Sequence, residues 1–175
     1  MDNYICTIPS PVGILTAASD GTSITGLWIE GQKYFTSTLA DDGLKADLPV
    51  FKSLQKWLSI YFEGKSPNFA PPLAPKGSAF RQSVWQILCE IPYGTVTTYG
   101  DIAKQLEAQT GGKRVSAQAV GGAVGHNPIS IIIPCHRVVG ANGNLTGYAG
   151  GIDKKIQLLQ LEKAPTQRLF APKIK

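Results

Sequence analysis

A proline-rich segment near the middle of the chain limits what this sequence can fold into. Residues 65–75 contain four prolines, at positions 67, 71, 72 and 75. Proline cannot continue a helix or a central strand because it lacks a backbone N–H donor, so the segment is typical of a linker. We therefore expect two domains, residues 1–75 and residues 76–175, in a chain with enough hydrophobic residues to build a core.

The residues before this segment predict a small antiparallel sheet followed by one helix. Short strand-like runs cover residues 4–8, 12–18 and 24–30. Pro49 suits the first position of a helix, and apolar residues recur at helical spacing from there to Gly64. We find no chemical motif in this part of the sequence.

The residues after the segment have mostly helical periodicity. An apolar stripe over residues 80–91 predicts one helix, and Thr98 with Asp101 has the spacing of a capping box at the start of a second. A third helix is expected over residues 116–125. Two short helices joined by a glycine-containing turn suggest a helix-turn-helix, although this turn is longer than usual. The fold class is therefore α/β (α+β), with a mainly helical second domain.

Charge and cysteine content narrow the class of protein. Residues 1–75 carry five basic against seven acidic side chains, and residues 76–175 carry twelve against five. The basic part suits an anionic partner, most simply nucleic acid, but a solvated basic surface explains it equally well. Three cysteines without C-x-x-C spacing argue against a disulfide framework and a zinc site. Since neither a signal peptide nor a membrane-spanning stretch is evident, we expect a cytoplasmic protein with no membrane association.

The sequence Ile-Ile-Ile-Pro-Cys-His-Arg-Val at residues 131–138 carries the most chemical information. The three isoleucines predict a strand packed on both faces, which Pro134 ends. Cys135 would then stand at a rigid strand exit, where a nucleophile can be held. However, a free cysteine is often only a small buried hydrophobe, and neighbours in an extended chain point to opposite faces. The residues alone therefore leave both a catalytic and a structural Cys135 open.

Four short segments after residue 78 carry a family resemblance. They read Ala-Val-Gly-Gly-Ala at 119–123, Asn-Pro at 127–128, Ile-Pro-Cys-His-Arg-Val-Val at 133–139 and Gly-Tyr-Ala-Gly-Gly at 147–151. With them, residues 78–163 resemble the O6-alkylguanine-DNA alkyltransferases of prokaryotic type, also called methylated-DNA-protein-cysteine methyltransferases. The resemblance implies a ribonuclease H-like first domain and a winged-helix-like second domain.

The activity implied by the resemblance is DNA repair by nucleotide flipping and transfer of the O6-alkyl group of guanine to Cys135. O4-alkylthymine is a further expected substrate. His136 would activate the thiol through a water molecule, with Glu162 holding the histidine. Transfer would be stoichiometric and irreversible, with no cofactor and no metal. The implied partner is alkylated double-stranded DNA, bound through its minor groove with little sequence specificity by a monomer.

The resemblance also places residues at the DNA. Tyr99 matches a tyrosine that presses on the target phosphate and assists flipping. Gln118 stands where the family commonly has the arginine that replaces the flipped nucleotide, and Arg114, one helical turn earlier, could supply the missing charge. Ala119 and Gly122 belong to the same DNA-binding helix.

Further positions match the family's substrate pocket and its structural supports. The implied pocket residues are Ser130, Val138, Gly147, Tyr148 and Gly150. Ser130 replaces a proline found in mammalian members, which suggests a pocket of different shape. Asn127 matches an asparagine that joins the helix-turn-helix to the active-site loop, and Arg137 matches an arginine that needs a buried carboxylate partner.

Three other classes of protein share some of these features. A non-catalytic helix-turn-helix or lesion-sensing protein would use the same basic part without needing the thiol. A papain-like cysteine hydrolase would require a distant histidine, and His126 is the only other one in the sequence. Alkyltransferase-like proteins that bind lesions without repairing them lack the acceptor cysteine, which is present here.

Overall fold

The computed structural model describes residues 3–32, 43–145 and 151–165. The chain divides into two compact units. The first takes the residues up to Lys76 together with Pro128–Ile132, and the second takes Gly77–Asn127 and the residues from Ile133 onward. The chain therefore contributes to the first unit twice, which differs from the single boundary expected at residue 75.

The first unit is built on a four-stranded sheet in the order β3-β2-β1-β4. Strand β1 (Tyr4–Ser10) pairs antiparallel with β2 (Gly13–Ser19), which pairs antiparallel with β3 (Ile24–Ile29). The two-residue strand β4 (Leu44–Lys45) runs parallel to β1. Helix α1 (Pro49–Phe62) packs against β1 and β2 and begins with a proline, which is pre-organised for a first helical turn. The predicted antiparallel sheet and its single helix are confirmed.

Two segments from outside the sheet attach to β3. Ile24 exchanges two backbone hydrogen bonds of 2.8 Å with residues 72–74, and Leu27 exchanges two of 2.8 Å with residues 128–130. A proline that lacks an N–H donor still offers its carbonyl oxygen, which explains how a proline-rich segment can join a sheet edge. Residues 72–74 thus belong to the first unit's sheet and are not a free linker.

Ile131–Ile133 do not form the predicted strand. Ile131 has a φ of +72°, the N–H of Ile132 donates to the Ser130 carbonyl at 2.8 Å, and the N–H of Cys135 donates to the Ile133 carbonyl at 2.8 Å. A left-handed conformation is a true outlier for a β-branched residue, so the backbone is strained here. All three isoleucines are buried. The apolar run indicated burial correctly, but burial alone does not distinguish a strand from a buried turn.

The second unit contains the three predicted helices, α2 (Ala79–Cys89), α3 (Tyr99–Gln109) and α4 (Ala117–Gly125), which pack on one another. The indole N–H of Trp85 in α2 donates to the Ala123 carbonyl in α4 at 2.8 Å. Helices α3 and α4 follow each other as the expected helix-turn-helix would require. The helical character of the second part is confirmed.

Two short strands and a fifth α-helix also belong to the second unit. Strand β5 (Thr97–Thr98) pairs in parallel with β6 (Val138–Val139). As the capping-box spacing predicts, the Thr98 hydroxyl accepts the N–H of Asp101 at 3.1 Å and so caps α3. The chain ends its described part with helix α5 (Ile152–Leu161). Strand β6 directly follows the Cys-His-Arg motif, and α5 packs against that motif.

Candidate active site

Cys135 opens a 3-10 helix, Cys135–Arg137, directly after Pro134. The Cys135 side chain is buried, with 4% of its surface exposed, and the N–H of Val138 returns to the Cys135 carbonyl. Successive side chains of a 3-10 helix point about 120° apart, whereas in a strand they alternate between opposite faces. The cysteine is therefore not at a strand exit, and His136 is not forced to the opposite side of the chain.

A single buried carboxylate, that of Glu162, organises the residues after the cysteine. His136 Nε2 lies 2.6 Å from Glu162 Oε2, and both side chains are fully buried. Arg137 donates from Nε to Oε1 at 2.8 Å and from Nη2 to Oε2 at 3.1 Å, and the N–H of Gly94 donates to Oε1 at 3.1 Å. These donors favour the ionised carboxylate. Glu162 accordingly holds the Nε2–H tautomer of His136 and leaves Nδ1 as the proton-accepting nitrogen.

Arg137 is tied down on several sides. Besides its two bonds to Glu162, its Nη1 donates to the Ile91 carbonyl at 2.7 Å, and its guanidinium lies 5.7 Å from the centroid of the Tyr93 ring. Only 9% of the residue is exposed. The arginine thus has the buried carboxylate partner that the sequence requires, and its described contacts are internal.

Burial dominates the protonation of the cysteine and the histidine. It raises the pKa of Cys135, while a hydrogen bond from Asn127 and the positive charge of Lys155 act in the opposite direction. Burial also lowers the pKa of His136, against the contact with Glu162. Burial therefore favours a neutral thiol beside a neutral imidazole in this structure.

Asn127 and Tyr99 also face the cysteine. Asn127 Nδ2 donates to the Ile133 carbonyl at 2.8 Å, and its side chain hydrogen bonds to Cys135. Tyr99 is the first residue of α3, and burial together with the charge on Cys135 raises its pKa to about 12, so the phenol keeps its proton. A Cβ atom on Gly121 would lie 3.9 Å from Tyr99 Cδ1. The tyrosine ring thus lies beside α4 and within electrostatic reach of the sulfur.

Four residues predicted to bind DNA share an exposed surface around the start of α4. Gln118, Ala119 and Gly122 are exposed on the side of the helix opposite its buried apolar residues, and Arg114 is exposed in the preceding turn. A Cβ atom on Gly122 would meet no atom within 4 Å, so another chain can approach this backbone closely. The amino end of a helix is also electropositive, which suits a phosphate.

The predicted substrate-pocket residues are only partly described. Val138 is buried in β6, immediately after the 3-10 helix. Ser130 is buried in the first unit, where its hydroxyl donates to Gln32 Oε1 at 3.2 Å. Three predicted pocket residues lie outside the described part of the chain: Gly147, Tyr148 and Gly150.

Lys155 is a candidate that the sequence analysis missed. Its side chain is fully buried in α5, and its charge lowers the pKa of Cys135. A sequence signal was present, because Lys155 and Glu162 stand seven residues apart in an otherwise apolar helical stripe. Ionic residues in such a stripe are rarely buried without a partner.

The described residues contain neither a candidate metal site nor a helix that could cross a membrane. In residues 3–32, 43–145 and 151–165, no group of three or more His, Cys, Asp or Glu side chains is placed to hold a metal ion. Over the same ranges, every helix is too short or too polar to cross a membrane.

Comparison with family models accounts for nearly the whole chain. A model described as the DNA binding domain of 6-O-methylguanine DNA methyltransferase matches residues 79–164, and one described as its ribonuclease-like domain matches residues 3–75. A methylated-DNA--protein-cysteine methyltransferase of Haemophilus influenzae is 45% identical over 163 residues, 93% of this chain and 87% of the relative. One from Mycobacterium tuberculosis is 45% identical over 158 residues, 90% of this chain and 91% of the relative.

Solved structures agree with these sequence matches. The crystal structure of Mycobacterium tuberculosis O6-methylguanine methyltransferase matches with a TM-score of 0.78 and 43% identity, over 92% of this chain and 93% of that one. A crystal structure of Mycobacterium tuberculosis OGT in complex with DNA also has a TM-score of 0.78, at 42% identity over 94% of this chain and 96% of that one. The predicted family and fold class are confirmed, and this chain belongs to the 6-O-methylguanine DNA methyltransferase family.

Proposed function

We propose that this protein repairs DNA by transferring the alkyl group of O6-alkylguanine to the sulfur of Cys135, once and irreversibly. The observation that carries the proposal is the buried contact of 2.6 Å between His136 and Glu162, directly beside a buried cysteine. Relatives that are 45% identical over most of the chain are named methylated-DNA--protein-cysteine methyltransferases, which supports the same reaction here. O4-alkylthymine is a second proposed substrate.

The proposed reaction moves one proton and one alkyl group. His136 Nδ1 takes the thiol proton through a water molecule, and Glu162 stabilises the imidazolium that forms. The sulfur then bonds to the alkyl carbon as the bond from that carbon to guanine O6 breaks. Breaking this bond leaves a negative charge on guanine, and the proton from His136 neutralises that charge. Displacement at an alkyl carbon requires an aligned thiolate and a proton, so no metal or cofactor enters the scheme.

The product explains why each protein molecule acts once. The sulfur becomes part of a thioether, whose sulfur–carbon bonds water does not cleave at a useful rate. The proposed scheme contains no step that would cleave this thioether and restore the thiol. We therefore expect consumption of one protein molecule for each lesion repaired.

DNA is the proposed partner, and the exposed start of α4 is its proposed contact. A relative solved in complex with DNA and the match to a DNA binding domain support this choice. We propose that Gln118, Ala119 and Gly122 enter the minor groove, with Arg114 neutralising phosphate. Tyr99 assists rotation of the nucleotide, and Gln118 fills the gap that it leaves. A monomer suffices for this arrangement.

A free thiol also bears on where the protein works. Repair by this route requires Cys135 to stay reduced, and reducing conditions prevail in the cytoplasm. We therefore place the protein in the cytoplasm with access to DNA.

The test is mass spectrometry of the protein after incubation with a duplex that contains one O6-methylguanine. We expect one methyl group per protein molecule, on the peptide that contains Cys135. Cys135→Ala should abolish transfer and keep DNA affinity, whereas Cys89→Ala is the matched control because Cys89 is an exposed free cysteine. An unmodified protein that still binds the duplex would favour a DNA-binding or lesion-sensing role instead.

A further inference from the structure

One face of α5 brings two charged side chains into the interior of the second unit. Lys155 lies in α5 and Glu162 caps its carboxyl end in a helical conformation; they are seven residues, or about two helical turns, apart, so both lie on the same side. Leu158 and Leu159 are buried between them, Lys155 has no exposed surface, and Glu162 is 3% exposed. Burial of an ionised side chain is unfavourable unless an opposite charge compensates, so each of these residues implies a partner.

The 3-10 helix Cys135–Arg137 packs against α5 and supplies the partners of Glu162. The Glu162 carboxylate accepts hydrogen bonds from His136 and Arg137, as described above. Lys155 interacts electrostatically with Cys135: the charged sulfur raises the pKa of the lysine, and the lysine lowers the pKa of the cysteine. Burial is the larger influence and brings the pKa of Lys155 down to about 8, so the ammonium form still prevails at neutral pH.

We propose that Lys155 is the electrostatic partner of the Cys135 thiolate, a positioning residue that stabilises the sulfur anion from which the alkyl transfer starts. The proposal rests on the proposed function, because it gives Lys155 a part in the same reaction. An ammonium group interacts more strongly with a thiolate than with a thiol. Its effect is therefore largest after the thiol has lost its proton, which is the condition for accelerating a reaction.

The other groups around the sulfur do not supply this positive charge. Asn127 offers a neutral hydrogen bond, and Tyr99 keeps its proton because its pKa is raised. His136 holds the thiol proton only transiently. Burial, Arg137 and Lys155 all lower the pKa of His136, while Glu162 raises it. Lys155 thus favours the thiolate and also favours release of the proton from His136.

The proton and electron balance of the reaction is unchanged by this role. The thiol proton passes to His136 and then to the departing guanine. The sulfur–carbon bond forms as the carbon–O6 bond breaks, with the electron pair going to guanine. Lys155 keeps its protons throughout and acts only through its charge.

The experiment compares variants that separate charge from packing. Lys155→Met keeps a long side chain without its charge, Lys155→Arg keeps the charge, and Lys154→Met removes a charge from the neighbouring position, which is partly exposed. Methyl transfer from a duplex with one O6-methylguanine is timed from below neutrality to above the ordinary cysteine pKa. Alkylation of the Cys135 peptide by iodoacetamide is timed over the same range, because that probe requires no DNA.

We expect Lys155→Met to slow both reactions about tenfold at neutral pH, which corresponds to one pKa unit of thiolate population. The lost rate should return as the pH is raised. Lys155→Arg should keep most of the wild-type profile, and Lys154→Met should match it. A wild-type pH profile for Lys155→Met, or a loss by the same factor at every pH, would overturn the proposal because neither reports a lost charge at the sulfur.

A stability measurement and the combination of the two assays distinguish the possible outcomes. Thermal unfolding is recorded for each variant, and Lys155→Gln replaces Lys155→Met if the latter does not fold. If the wild type transfers no methyl group but the iodoacetamide profile of the neutral variant is shifted, the proposed function fails and only the effect of the Lys155 charge on the Cys135 thiolate stands. If the wild type transfers methyl and the profile is unshifted, only the role of Lys155 fails.

Discussion

Helices α1 and α5 both bury one face, but they bury different chemistry. The buried face of α1 is entirely apolar or aromatic: Val50, Phe51, Leu54, Trp57, Leu58 and Tyr61. The buried face of α5 holds Lys155 and two leucines and ends at Glu162. Among the described residues, buried charged side chains and the buried histidine all lie in the second unit, whereas the buried polar residues of the first unit are uncharged.

The difference suggests that α1 only stabilises its unit, whereas α5 also determines the electrostatic environment of the candidate site. An apolar face contributes through area and shape, so its loss should lower the free energy of unfolding. A charged buried face is a weak source of stability, because desolvation offsets much of the attraction. We therefore expect substitutions in α1 to change stability alone, and substitutions in α5 to change the reaction as well.

The largest effect is expected from Glu162→Gln. The change leaves the Arg137 guanidinium buried beside a neutral amide and removes the anion that stabilises the His136 imidazolium. Breaking a buried ion pair costs about 3–5 kcal/mol, and loss of general acid–base assistance costs about 10²–10⁴ in rate. Denaturant unfolding measures the loss of stability, and single-turnover methyl transfer measures the loss of rate.

The control for this substitution is Glu63→Gln. Glu63 Oε2 lies 3.7 Å from Lys65 Nζ, with both side chains mostly exposed, so this pair should contribute at most about 1 kcal/mol. If Glu162→Gln behaves like Glu63→Gln in both measurements, the buried carboxylate does not organise the site.

The two helices also differ in how far the sequence could predict them. The apolar spacing of α1 and the proline at its start identified it directly, and the Thr98 cap located the start of α3. Periodicity places Lys155 and Glu162 within an apolar stripe but does not identify the distant residues that contact them, so Lys155 was missed and Glu162 was identified only through the family resemblance. The strand predicted at Ile131–Ile133 was wrong, because a buried turn has the same apolar composition as a buried strand.

Leu54→Ala sharpens the comparison on the stability side. Leu54 has no exposed surface in α1, and truncation of a buried leucine costs about 2–5 kcal/mol. The rate of methyl transfer per folded molecule should stay at its wild-type value. Leu158→Ala in α5 removes an equally buried leucine. It should lower both the free energy of unfolding and the rate, since it loosens the helix that carries Lys155 and Glu162. Equal rates for the two variants would show that α5 has no special role.

The pH dependence of unfolding tests the neutral histidine. Burial lowers the pKa of His136 in the folded state. As the pH falls below about 6.5, the unfolded chain therefore takes up a proton that the folded protein does not, and stability is lost at up to about 1.4 kcal/mol per pH unit. His136→Gln should remove this slope, whereas His126→Gln serves as the control at the partly exposed end of α4. An unchanged slope in His136→Gln would mean that the histidine is protonated equally in both states.

The smallest effect is expected at the exposed surface of α4, where Gln118→Arg adds a cation and buries nothing. Because the side chain is exposed, the free energy of unfolding should change by less than about 0.5 kcal/mol. One added phosphate contact should steepen the salt dependence of duplex binding by about one unit and speed repair of duplex substrate several-fold. Alkylation of Cys135 by iodoacetamide should be unaffected, since the substitution lies outside the buried site. Faster repair with no change in that alkylation rate would show that α4 sets access to the base and α5 sets the reactivity of the sulfur. A Gln118→Arg variant that repairs duplex at the wild-type rate would mean that this position does not replace the flipped nucleotide.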